Sequence, residues 1–288
     1  MGDAMRERCG LLTTLSGLER VSDSYDALIC DVWGVVHDGQ RAKAPACEAL
    51  KKFRQRHGSV ILVSNAPRPI SDVKIQFARL GVPEECYDAI VTSGMAARAA
   101  LARRAEAGAV RVFHLGPARD RGVFEGLPIE EVGENDAELV LCTGLFDDTV
   151  ETPEAYRARL LAYRERRLPL WCANPDLVVQ RGGELVYCAG ALAKLYDELG
   201  GEVVYFGKPY RAIYEELAPL VKSASRWLAI GDGIDTDIKG ANGFGIDALF
   251  IADGIHGEEV EPFTSEHLGA LLARHGANAR FAMRALVW

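Results

Sequence analysis

Short apolar runs rich in β-branched residues alternate with longer stretches of helical periodicity along almost the whole chain. The runs predict strands at Ala27 to Val32, Ser59 to Ser64, Ala89 to Thr92, Arg111 to Leu115, Leu139 to Thr143, Pro169 to Ala173, Val203 to Phe206, Trp227 to Ile230 and Ala248 to Ile251. Between them the spacing predicts helices over Ala46 to Arg56, Ser71 to Leu80, Met95 to Ala107, Pro153 to Arg167, Ala191 to Leu199 and Tyr210 to Lys222. Ser93 and Thr152 are placed as N-caps, and Gly58 and Gly81 as helix stops. This alternation reads as an α/β fold with a doubly wound, largely parallel sheet whose apolar strands are covered on both faces.

Two of the apolar runs end in acid. Ala27-Leu-Ile-Cys-Asp31 leads into Val32-Trp33-Gly34, and Trp227-Leu-Ala-Ile-Gly231 leads into Asp232, with Asp235 and Asp237 close behind. Ligands of parallel sheets gather at the carboxyl ends of the strands, so Asp31 and Asp232 are expected to share one site. Crowded carboxylates repel unless a cation lies between them, and a hard divalent ion with oxygen ligands, Mg2+, suits the set. Solvated turn acids are the plainer reading of either strand end alone. Between the two ends, roughly a hundred of the intervening residues carry their own strand and helix set. That organisation implies a discontinuous core domain, 1–94 with 202–288, and an inserted α/β cap domain, 95–201, with Gly94 and Gly200-Gly201 as hinge points.

Composition narrows the function. The chain has 288 residues, 49% of them hydrophobic, and a formal charge of -8. That length and apolar content support a sizeable core, and the negative balance argues against nucleic acid as a partner. Seven cysteines at 9, 30, 47, 86, 142, 172 and 188 have neither zinc-ligand spacing nor a disulfide framework and read as free core thiols. With no apolar leader-like segment and no run near the ~18 residues of a membrane span, the expectation is a cytoplasmic protein without a membrane partner. A homo-oligomer is compatible with the apolar stretch Phe281 to Trp288, which suits packing on the core or on a second copy.

Around the acidic strand ends stand the parts of phosphoryl transfer. Asp31 suits a carboxylate nucleophile. Ser64 and Asn65 offer a hydroxyl and amides, and Lys208 in Gly207-Lys208-Pro209 offers a cation. Asp232 and Asp237 suit a metal. In this order and spacing the segments resemble the haloacid dehalogenase superfamily, subclass IIA, the NagD-like and para-nitrophenyl phosphatase-like proteins with a large inserted cap. Ala173-Asn174-Pro175-Asp176 looks like that subclass's Thr-Asn-x-Asp element, and Cys188-Ala189-Gly190-Ala191 looks like the glycine-bearing turn ahead of the return to the core. The resemblance implies a Mg2+-dependent phosphoric monoester hydrolase acting on a small phosphorylated metabolite through an aspartyl-phosphate. Asp31 is then nucleophile and metal ligand, with Asp232, Asp237 and the Trp33 carbonyl completing the metal site. Ser64, Asn65 and Lys208 hold the phosphoryl group, and Asn174 and Asp176 are candidates for substrate contact from the cap.

One position departs from the family. Where its phosphatases carry a second Asp that protonates the leaving alcohol, this chain has Trp33. A backbone carbonyl survives the change and the acid does not, a loss of about 10²- to 10⁴-fold. His37 and Asp38 are the nearest substitute acids, against the plainer reading of a loop-capping pair. An acyl or aryl phosphate, whose leaving group needs little help, is another way round the deficit. Further alternatives are a binding or regulatory protein that keeps the fold without turnover, and a metal-independent dehalogenase-type hydrolase, which Asp232 and Asp237 disfavour.

Overall fold

The computed structural model describes residues 12–181, 184–221, 224–257 and 259–288. The chain divides into two compact units, residues 1–63, 76–90 and 217–288 in the first and residues 64–75 and 91–216 in the second. The expected insertion 95–201 falls inside the second unit, which also takes 64–75, 91–94 and 202–216.

A seven-stranded sheet organises the first unit, in the order Thr13–Thr14, Phe281–Met283, Asp247–Ile251, Trp227–Gly231, Ala27–Asp31, Ser59–Ser64, Ala89–Thr92. Register fixes its functional edge. Cys30 pairs with Ile230 on one side and Leu62 on the other, both in parallel, so Asp31 lies opposite Val63 and level with Gly231. Ala27–Asp31 is buried at every position, as are Ala248 to Ile251, which requires cover on both faces of the sheet. On one face Ala248 and Phe250 meet Leu268, Leu271 and Leu272 of the helix Ser265–Arg274. The apolar end of the chain packs on this core: Phe281–Met283 joins the sheet, and Trp288 stacks on His57 at 6.1 Å.

The second unit is built on a five-stranded sheet in the order Val203–Tyr205, Leu170–Cys172, Leu139–Cys142, Val110–Leu115, Ile129–Glu131, parallel throughout. Alternation along Leu139–Cys142 makes its two faces visible. Leu139 and Leu141 pack with Ala97 and Leu101 of the helix Ser93–Ala105, while Val140 and Cys142 pack with Leu160 and Leu192 of the helices Arg157–Glu165 and Ala189–Glu198. A two-stranded antiparallel pair, Val178–Arg181 with Glu184–Tyr187, completes the unit.

Several local expectations shift. Thr92, not Ser93, caps the helix Ser93–Ala105, its hydroxyl accepting from the Met95 N–H at 3.1 Å. Gly94 is no φ-strained hinge: it lies inside that helix, where a Cβ would come within 2.5 Å of the Arg68 nitrogen, so its smallness permits close approach. Thr152 makes no side-chain cap bond, and Pro153–Tyr156 is a 3₁₀ turn leading into the α-helix. Six of the seven cysteines are buried and free, and Cys9 lies outside the described residues. Among the described residues no helix is long and apolar enough to cross a membrane.

Candidate functional site

Asp31 ends its strand, Asp232 follows the end of the neighbouring strand, and Asp237 lies in the single π-turn Ile234–Ile238 one step further on. All three are buried, with 7%, 7% and 6% exposure, and each offers a carboxylate oxygen within 4.8 Å of the other two. The backbone makes room for this crowding. A Cβ on Gly34, whose φ of +82° already requires glycine, would lie 2.2 Å from Asp232 Oδ2. One on Gly254 would lie 2.1 Å from the same oxygen, and one on Gly231 would lie 2.2 Å from Asp237 Cγ. The Ile255 N–H donates to Asp232 Oδ2 at 3.0 Å and the Gly233 N–H to Asp237 Oδ2 at 3.1 Å, which orients both groups. Three buried carboxylates in a glycine-lined cradle form an all-oxygen donor set that fits a hard divalent cation.

The loop after Asp31 turns back at once. The Val36 N–H donates to the Val32 carbonyl at 2.8 Å, the Gly34 N–H to the His37 carbonyl at 2.9 Å, and the Lys43 ammonium to the Gly34 carbonyl. Trp33 lies edge-on to His37, ring centroids 5.0 Å apart, and packs so closely on Gly39 that a Cβ there would stand 2.6 Å from two indole carbons. His37 is buried, and its Nδ1 accepts from the Gly39 N–H at 3.1 Å. Burial, with the Lys43 charge adding and Asp38 opposing, lowers its pKa to about 4. The ring is therefore neutral at pH 7. Asp38 accepts from the Arg41 and Gln40 N–H groups at 2.8 Å each, and those bonds hold it below the usual carboxylate range. Both residues fasten the loop.

In the second unit hydrogen bonds join several of the other sequence candidates. The Asn65 side chain accepts from the Lys208 N–H at 2.8 Å and donates to the Lys208 carbonyl at 3.1 Å and to Asp176 Oδ1 at 2.8 Å. Both hydrogens of its amide and its oxygen are thus engaged with protein. The Ser64 hydroxyl accepts from the Ala66 N–H at 3.2 Å. Asn174 Oδ1 accepts from the Asp176 N–H at 3.1 Å, bending the loop that presents Asp176. Gly190 is the second residue of the helix Ala189–Glu198 rather than part of a turn, and a Cβ there would meet the Pro175 carbonyl at 2.1 Å. The sequence reading missed Gly254 and Ile255, although Asp247–Ile251 is an apolar strand whose carboxyl end lies beside that of Trp227–Gly231. It also missed Lys43, for which no pattern gave a signal.

Known proteins resemble this chain over most of its length. The model of the haloacid dehalogenase-like hydrolases matches residues 28–130, and a second HAD-hydrolase-like model matches 205–273. A D-glycerol 3-phosphate phosphatase of Mycobacterium tuberculosis is 27% identical over 249 residues, 83% of this chain, and the chain spans 66% of that relative's length. A glycerol phosphate phosphatase from the same organism, solved in complex with magnesium, shares the fold at 22% identity with a TM-score of 0.65, covering 85% of this chain and 73% of its own. A hydrolase of the haloacid dehalogenase-like family from Brucella suis 1330 superposes with a TM-score of 0.84 at 44% identity, over 95% of this chain and 100% of its own. Identity at that level over that span means that this chain belongs to the haloacid dehalogenase-like hydrolase family.

Proposed function

We propose that this protein is a Mg2+-dependent phosphoric monoester hydrolase acting on a small phosphorylated metabolite. The observation that carries the reading is the trio Asp31, Asp232 and Asp237, buried with their oxygens within 4.8 Å of one another. Asp31, the Trp33 carbonyl and Asp232 would hold the ion, with Asp237 supporting. Bound there, a divalent cation supplies the charge neutralisation that lets a phosphate dianion approach carboxylates.

Asp31 attacks phosphorus in line with the departing alcohol, forming an aspartyl-phosphate, and water hydrolyses that ester in a second step. Lys208 and Ser64 keep the phosphoryl-binding roles that the family resemblance implies, and Asn65 sets the Lys208 backbone. Asn174 and Asp176 keep the substrate-recognition role. The departing oxygen takes its proton from water, because the Trp33 indole is no acid, His37 is buried and neutral, and Asp38 is ionised. The core and cap division at 94/95 and 201/202 and the cytoplasmic location belong to the same reading. The mycobacterial relative makes glycerol 3-phosphate the first substrate to assay.

The test uses 4-nitrophenyl phosphate with and without Mg2+. Wild-type protein hydrolyses it only with the ion, and Asp31→Asn removes the activity; full turnover in Asp31→Asn overturns the mechanism. The Trp33 packing favours a second reading, a binding protein that retains the ion site without turnover. Retained ligand binding with hydrolysis of neither aryl nor alkyl phosphate would establish it.

A further inference from the structure

Numbered in chain order, the five parallel strands of the second unit lie 2-1-3-4-5, and the direction of winding reverses between strand 1, Val110–Leu115, and strand 3, Leu139–Cys142. In doubly wound sheets the crevice outside the carboxyl ends at that reversal is where ligands sit. A cavity of about 530 Å³ lies there, lined after strand 1 by Gly116, Pro117, Ala118 and Arg121, at the end of strand 2 by Glu131, and after strand 3 by Phe146. That volume is in the range of small-molecule sites, roughly 300–1,000 Å³. Gly116 in its lining has φ +157°, and a Cβ there would stand 2.0 Å from Thr143 Oγ1.

We propose that this cavity binds a purine mononucleotide. Glu131 ends strand 2, the position from which a carboxylate accepts hydrogen bonds from ribose hydroxyls in this class of sheet. Arg121 meets Glu131 at 2.7 Å, and with its side chain 57% exposed the fork keeps N–H groups that a phosphate would take. Phe146, 40% exposed, has the Arg159 guanidinium over its ring at 5.0 Å and Tyr156 beside it at 5.9 Å, and a base would stack on the face opposite Arg159. The Gly116-Pro117-Ala118 turn lacks the G-x-G-x-x-G pattern that admits a pyrophosphate, so the ligand is a mononucleotide and not a dinucleotide. Lys208 follows strand 5, three strand spacings from strand 1, or roughly 14 Å at 4.7–4.9 Å each. The nucleotide site is therefore separate from the Asn65–Lys208 group and stands whether or not the hydrolase reading does.

Calorimetric titration of AMP into full-length Asp31→Asn protein without magnesium tests this without turnover. AMP should bind, ribose 5-phosphate more weakly, and Glu131→Ala and Phe146→Ala should each weaken AMP by about tenfold or more. Glu131→Gln, which keeps the shape of the side chain, serves if Glu131→Ala melts early. Absence of binding at millimolar AMP overturns the proposal. So does binding that Lys208→Ala abolishes and Glu131→Ala leaves intact, since the nucleotide would then occupy the catalytic group.

Discussion

The side-chain amide of Asn65 brackets the backbone of Lys208, accepting from its N–H at 2.8 Å and donating to its carbonyl at 3.1 Å. The second amide hydrogen goes to Asp176 at 2.8 Å, so one residue ties together two segments that lie 111 and 143 positions away in sequence. Gly207 admits the contact, since a Cβ there would stand 2.6 Å from Asn65 Oδ1. Asn65→Ala leaves three polar groups without this partner, at a cost of about 1–3 kcal/mol for each that stays dry. The expected outcome is a lower unfolding midpoint together with reduced kcat/KM on 4-nitrophenyl phosphate. In a double-mutant cycle, adding Asn65→Ala to Lys208→Ala should cost little further activity; additive losses would mean that Asn65 acts other than through Lys208.

Asp237 gives a sign test for the ion. Its carboxylate shares a buried space with those of Asp31 and Asp232, so without a cation the three repel. Asp237→Asn removes one negative charge and should raise the unfolding midpoint in EDTA, while reducing the rise that Mg2+ produces. Ligand linkage stabilises by about 2.7 kcal/mol at a hundredfold excess over Kd, which is readily measured. A variant less stable than wild type in EDTA would show that this carboxylate is held by protein partners alone.

The strand ends were legible because burial on both faces makes parallel strands read as unbroken apolar runs, and an Asp closing such a run stands out. The same logic hid other parts. Thr13–Thr14 and Ile129–Glu131 are too short and too exposed to give a pattern, and Phe281–Met283 read only as an apolar tail. The bond between Asn65 and Asp176 joins loops by side-chain geometry, which has no period. Gly254 was missed because its job is to leave space, and the need for that space appears only once Asp232 is in place.

That space is itself open to test. Gly254→Ala puts a methyl group 2.1 Å from Asp232 Oδ2 and 2.5 Å from its Cγ, so the carboxylate must move. The fold should survive, and the Mg2+ concentration needed for half-maximal stabilisation should rise by about tenfold or more. An unchanged Mg2+ dependence would take Asp232 out of the ion site.

Trp33 fills the place where the resembling phosphatases hold a proton donor, and it does so as a packed residue between His37 and Gly39. Trp33→Asp should therefore raise kcat/KM on glycerol 3-phosphate relative to 4-nitrophenyl phosphate by about 10² or more, because only the alkyl ester needs its leaving oxygen protonated. Loss of the indole should also lower stability, by about 1–3 kcal/mol. If the two substrates change in parallel, the missing acid is not what limits alkyl ester hydrolysis.

Acid should weaken the second unit through His114. The ring is 4% exposed with Nε2 2.8 Å from Thr143 Oγ1, and burial, aided by the Arg121 charge, lowers its pKa from 6.5 to about 4. An unfolded chain takes up this proton near pH 6.5, whereas the native protein resists until about pH 4. The contribution of the neutral ring is thus intact above pH 6.5 and is lost as pH falls toward 4, by about 3 kcal/mol at roughly 1.4 kcal/mol per pKa unit. His114→Gln retains a polar group for Thr143 but cannot be protonated. Denaturant titrations of both proteins between pH 7.5 and 4, on the order of half a unit apart, should show the gap between wild type and variant narrowing or reversing as acid is added. Other titrating groups cancel in that difference, so parallel curves would mean that His114 takes up its proton as readily in the native protein as in the unfolded chain.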